Sequence, residues 1–129
     1  MNETPHTGLL LKRPRTTNLF GHNWTKRRVN LTIVETTSGV KQLLLQYSDL
    51  NANLKGERII TGARALKDID SKTWCFAATS LTDGAKNINE WEGLLTTTDF
   101  VVFSAGDEKK LLEWTYLIDG CLTDIIAEE

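Results

Sequence analysis

Six cations stand in the first thirty residues of the chain, Lys12, Arg13, Arg15, Lys26, Arg27 and Arg28, against Glu3 alone. They form two groups. One closes an apolar run, Gly8-Leu9-Leu10-Leu11-Lys12-Arg13; the other lies inside a second, Trp24-Thr25-Lys26-Arg27-Arg28-Val29-Asn30-Leu31. Arginine offers a planar fork of donors and lysine a mobile point charge. Cations converging from two segments therefore suit a multiply charged anion such as a phosphorylated ring. If both segments are strands, their side chains alternate between faces. Lys12 then shares the face of Leu10, and Thr25 and Arg27 share that of Val29 and Leu31, whereas Lys26 and Arg28 point the other way. A cation on a core-facing row is costly unless the row runs out of the core into a mouth where an anion meets it. Such a mouth, floored by Lys12 and Arg27, is the site the sequence proposes.

The elements that must hold these residues follow from patterning. Residues 8–13 read as a strand ended by Pro14, residues 1–6 as a polar, frayed start, and residues 15–23 as a loop longer than a hairpin needs. Further strands are expected at 24–35, 41–47, 57–66, 73–80, 91–97 and 100–105, separated by turn formers such as Ser38-Gly39 and Asp83-Gly84. Residue 62 is an awkward glycine within the fourth. From Asp107 onward the period changes: Leu111, Trp114, Ile118, Cys121, Leu122 and Ile125 recur at steps of three and four, the signature of an amphipathic helix. Ser104 or Gly106 is the expected cap. Seven short strands and a final helix imply a curled antiparallel sheet with the helix plugging one open end, because a single layer cannot bury its own apolar face.

Composition bounds the rest. At 129 residues the chain is the size of one domain. Its net charge of −2 conceals a dipole: residues 1–30 carry +5 and the remainder −7. That asymmetry orients a protein toward an anionic surface. No apolar run approaches the roughly 20 residues that span a bilayer, and the start MNETPHTG has neither the basic nor the apolar region of a secretory leader. A cytoplasmic protein with Cys75 and Cys121 as buried free thiols is expected. There is no glycine-rich phosphate loop, no Cys or His pair at metal spacing and no serine in a nucleophile elbow, so neither catalysis nor a cofactor nor a metal is expected. Nucleic-acid binding is disfavoured, with no aromatic stacking platform beside the cations. Trp24 and Trp114 are read as core.

In this order and spacing the motifs resemble the pleckstrin homology (PH) domain family, over about residues 7–125, with 1–6 and 126–129 as short tails. Gly8-Leu9-Leu10-Leu11-Lys12 is similar to that family's Gly-aromatic-Leu-x-Lys first strand, with leucine for the aromatic. Trp24-Thr25-Lys26-Arg27-Arg28-Val29-Asn30-Leu31 matches its Trp-Lys-x-Arg-x-Phe-x-Leu second strand except at Thr25, which replaces a basic residue, and at Val29. Leu45-Gln46-Tyr47, Phe103-Ser104-Ala105 and the helical Trp114 complete the pattern. The Leu-Lys-Arg start with its long loop looks most like the Tec-kinase and protein kinase B type.

The resemblance implies a mainly β fold with one C-terminal α-helix, a seven-stranded curled antiparallel barrel capped by that helix. It implies a phosphoinositide headgroup bound at the open end by Lys12 and Arg27; to these the residues' own chemistry adds Thr25 as a hydrogen-bond donor and Arg13 and Arg15 reaching from the loop. Lys26, Arg28, His22 and Lys41 would supply secondary contacts to anionic lipid, and Lys55 and Arg58 extra ones. The implied role is recruitment of a monomeric, intracellular module to a membrane; the alternative is a protein-docking or scaffolding domain of the same fold.

Overall fold

The structure is a computed structural model and describes residues 3–14, 24–69, 72–80 and 100–127. The fold is mainly β. Its strands are β1 (Glu3–Lys12), β2 (Thr25–Glu35), β3 (Lys41–Ser48), β4 (Leu54–Ile60), β5 (Gly62–Ile69), β6 (Lys72–Thr79) and β7 (Phe100–Ser104), followed by helix α1 (Glu108–Ala127). All seven strands join one curled, unclosed antiparallel sheet in the order β4-β3-β2-β1-β7-β6-β5.

Strand β1 begins at Glu3, well before the expected start at Gly8, and pairs Glu3 with Ile33 and His6 with Leu31. Pro5 falls within the register shift between those pairs, a position where a residue without an amide hydrogen is tolerated. The single strand expected over 57–66 is two, broken at Thr61. There the Thr61 amide and hydroxyl both donate to the Thr79 carbonyl oxygen, at 2.8 and 3.1 Å, which carries the chain from β4 across to the β6 side of the sheet. The expected strand at 91–97 lies outside the described residues.

The inward rows are read off the register. Val29 pairs with Tyr47, Leu31 with Leu45, and Ile33 with Leu43; Phe76 pairs with Phe103. All but Ile33 are buried. Helix α1 adds Leu111, Trp114, Ile118, Cys121 and Ile125 to this core. The Trp114 ring packs edge-on to His6 at 4.5 Å and stacks near Phe76 at 6.2 Å, closing the end of the sheet where β1 begins. The helix cap is Asp107 rather than Ser104 or Gly106: its carboxylate accepts the Lys110 amide at 2.8 Å, a reach that glycine lacks. Trp24 belongs to a smaller cluster on the far face of β6 and β7, with Ala77, Phe100 and Val102. Both cysteines are buried thiols.

Two isoleucines of α1 isolate the contribution of burial. Ile118 is 0 % exposed and Ile126 68 % exposed. Ile118→Ala is expected to lower the unfolding free energy by about 2–5 kcal/mol, and Ile126→Ala by less than about 0.5 kcal/mol. Urea unfolding of the two variants measures both; equal losses would contradict the assignment of the buried face.

Candidate functional site

The register fixes what lies at the other end of the sheet. From Thr7 to Lys12, β1 pairs with β2 without interruption, so Leu10 faces Arg27 and Lys12 faces Thr25. Directly opposed residues share a face. Thr25, Arg27 and Lys12 therefore continue the row of Leu10, Val29 and Leu31 beyond the core, and Lys26 and Arg28 are exposed on the other face. The sheet's open end gathers two further elements. Lys12 pairs with Phe103 and the Arg13 amide donates to the Val102 carbonyl oxygen at 2.9 Å, which brings the start of β7 to the same rim. Arg28 pairs with Ser48, which brings the β3–β4 turn there.

At this rim lies a cavity of about 330 Å³ lined by Lys12, Arg13, Pro14, Thr25, Arg27, Tyr47 and Lys55. Four of the seven are cations and none is acidic. The Arg27 Nε is buried and has no hydrogen-bond partner among the described residues; its Nη1 donates to the Lys26 carbonyl oxygen at 3.4 Å. The Lys12 ammonium lies 5.1 Å from the Tyr47 ring centroid, over its face, and donates to the Arg13 carbonyl oxygen at 3.2 Å. An aromatic face stabilises such a cation without neutralising it. Tyr47 is itself fixed: it is buried, edge-on to Phe103 at 6.1 Å, and lies directly against Gly56.

Lys55 enters the cavity because the ladder slips. Tyr47 pairs with Gly56 but Ser48 with Leu54, so Lys55 is an extra residue on β4. A bulge of this kind re-aims a side chain; strict alternation from Gly56 would have turned Lys55 outward. Its ammonium also lies 3.8 Å from the Asp49 carboxylate. That carboxylate is the hub of the β3–β4 turn, accepting the Asn51 and Asn53 amides at 2.9 Å each and the Asn53 side-chain amide at 3.1 Å. Hydrogen bonds from Asn53 chiefly, then Asn51 and the Lys55 charge, hold its pKa below the usual carboxylate value.

The remaining expected site residues separate. Arg13 and Thr25 line the cavity, and Arg15 and His22 lie outside the described residues. Lys41, expected as a secondary lipid contact, lies away from the cavity. It opens β3 opposite Glu35, at the far end of a strand whose other end, Ser48, reaches the rim; seven steps of strand put it more than about 20 Å away. Arg58 pairs with Leu45 and is not part of the cavity lining. Tyr47, read in the sequence only as the end of a strand motif, is a floor residue.

A second hollow of about 410 Å³ between β5 and α1 is lined by Ala63, Arg64, Ala65, Leu112, Thr115, Tyr116 and Asp119. Its two charges oppose each other: burial raises the Asp119 pKa and the Arg64 charge lowers it. It has no excess of either sign among the described residues, whereas the rim cavity gathers Lys12, Arg13, Arg27 and Lys55. Among known proteins, no family model matches this chain and no curated protein is detectably similar to it.

Two outcomes follow. A Cβ at residue 56 would stand 2.2 Å from the Tyr47 hydroxyl oxygen, so Gly56→Ala is expected to displace the ring and cost about 1–3 kcal/mol in urea unfolding; an unchanged midpoint would mean that the contact is slack. The Asp49 pKa is depressed, so its contribution to the turn is complete above the ordinary carboxylate range and lost as pH falls through the lower, folded-state value. The Asn51 and Asn53 amide resonances should follow a titration with its midpoint below that of an ordinary aspartate; a midpoint at or above the ordinary value would refute the hub.

Proposed function

We propose that the protein is an anion-recognition module of the PH type, binding the phosphorylated inositol headgroup of a membrane lipid in the cavity at the open end of the sheet and thereby recruiting the chain to that membrane. The observation that carries this reading is the convergence of Lys12, Arg13, Arg27 and Lys55 on one cavity, with no acidic side chain among the described residues that line it. About 330 Å³ is near the lower bound of small-ligand sites, roughly 300–1,000 Å³, which suits a headgroup rather than an acyl chain. The buried Arg27 Nε supports the reading as well: a buried donor costs free energy until an acceptor reaches it.

In this reading Arg27 supplies the directional fork, Lys12 and Lys55 point charges from opposite sides, and Thr25 one neutral hydrogen bond. Lys26 and Arg28, outside the cavity, meet the surrounding anionic surface at about 1 kcal/mol each. The role is binding, with no chemical step. Among the described residues no helix is long and apolar enough to cross a membrane, and the proposed attachment is peripheral.

Co-sedimentation with phosphatidylcholine vesicles containing a few mol % of individual phosphoinositides tests the proposal. Arg27→Ala is expected to weaken binding by about tenfold or more, as for a charge-assisted hydrogen bond. Arg28→Ala is expected to weaken it by no more than about fivefold, as for one charge near the surface. Equal, negligible pelleting with every lipid would overturn the proposal, and a larger loss for Arg28→Ala would overturn the assignment of faces.

A further inference from the structure

The β3–β4 turn carries two large apolar side chains that the core does not use. Leu50 and Leu54 are each 56 % exposed and flank the tip formed by Asn51, Ala52 and Asn53. Lys55, the next residue, lines the cationic cavity. Two exposed leucines on a short turn at the rim of a cationic mouth combine the features that hold a peripheral protein on a bilayer, apolar burial and attraction to anionic headgroups.

The turn is also built to leave water at low cost. An element that enters the acyl boundary must satisfy its own backbone polar groups. The Asp49 amide donates to the Asn53 carbonyl oxygen at 3.0 Å, and the Ala52 amide to the Asp49 carbonyl oxygen at 3.1 Å. The Asn51 and Asn53 amides are taken by the Asp49 carboxylate. That carboxylate, the one anion in the turn, faces the Lys55 ammonium at 3.8 Å. Ala52, at φ 66°, holds the left-handed conformation that closes the loop. The leucines are thus presented on a preformed scaffold.

We propose that Leu50 and Leu54 insert into the headgroup–acyl boundary of the same bilayer whose anionic headgroup occupies the neighbouring cavity, making the β3–β4 turn a membrane-penetrating element. The inference rests on the anion-binding reading of that cavity and adds the depth and the side chains of contact.

Two measurements on the full chain separate it from that reading. The first compares the parent with a Leu50→Ser/Leu54→Ser variant, both on phosphoinositide-containing phosphatidylcholine vesicles and with a soluble inositol polyphosphate. The expected result is a loss of vesicle affinity of about tenfold or more in the variant, with soluble-headgroup affinity unchanged. The second places an environment-sensitive fluorophore at Leu50→Cys; Cys75 and Cys121, at 0 % and 8 % exposure, are shielded from the label. Its emission is expected to shift to the blue on these vesicles and not with soluble headgroup.

Unchanged vesicle affinity with an unshifted emission overturns the insertion and leaves the headgroup reading standing, directing the leucines to a protein partner instead. Loss of soluble-headgroup affinity in the serine variant also overturns it, because the leucines would then act through the cavity. Vesicle binding by the parent and a blue shift of the labelled Leu50→Cys variant, with no affinity for soluble headgroup, support insertion and remove the headgroup reading. A parent that binds neither probe removes both.

Discussion

The uninterrupted register between β1 and β2 is the constraint from which the rest of the molecule follows. Strand alternation has no tolerance for a one-residue slip: such a slip would exchange Val29 and Leu31, both 0 % exposed, for Arg28 and Asn30 in the core. The apolar half of the row therefore enforces the cationic half. Once Val29 and Leu31 are inside, Arg27 and Thr25 must emerge on the same face at the rim, opposite Leu10 and Lys12. Core and candidate site are specified by one pairing, and neither can be re-registered without loss of the other.

The two ends of the curled sheet are treated in opposite ways. At one end Trp114 of α1 packs on His6 and Phe76 and excludes water from the core. At the other the side chains lengthen and become charged, and the floor is a buried tyrosine held by an adjacent glycine. The asymmetry gives the chain its electrical polarity, +5 in residues 1–30 against −7 elsewhere. Attraction of such a polarised chain to an anionic surface acts over about a Debye length, roughly 8 Å at physiological ionic strength, so in the proposed reading it orients an approach and leaves recognition to the cavity itself.

Much of this architecture was legible in the sequence, because it depends on periodicity. The alternation in β2 and β3 and the three- and four-residue steps of α1 are properties of residue type alone, and they carried the fold class, the helix and the facing of Lys12 and Arg27. What was not legible depends on backbone geometry that residue type barely marks. The break at Thr61 falls between Ile60 and Gly62 with no cluster of turn formers, so 57–66 read as one strand. The early start of β1 crosses Glu3-Thr4-Pro5, which shows no apolar alternation. Trp74 adopts φ 57°, a conformation rare for a bulky side chain, beside the register shifts that pair Lys67 with Cys75 and Ile69 with Lys72. Lys41 was grouped with the site from its place near neighbouring strands, whereas strand direction sends it to the far end.

The bulge at Lys55 bears most on recognition. The candidate site departs from the PH pattern at Thr25, where an inward basic residue is expected, and parity rules out Lys26 as a substitute because it lies on the outer face. The slipped pairing of Ser48 with Leu54 brings Lys55 to the cavity from the β4 side, so the charge missing from β2 is met from across the mouth. The two positions are not equivalent. A lysine on β2 would stand beside Arg27 with little freedom, whereas Lys55 is 46 % exposed and shares its charge with Asp49. Its attraction for an anion is reduced by both solvent screening and that neighbour. In the proposed reading, this geometry favours ligands whose charge is concentrated near Arg27 and Lys12, with Lys55 as a movable third contact, over ligands that require three fixed cations at once.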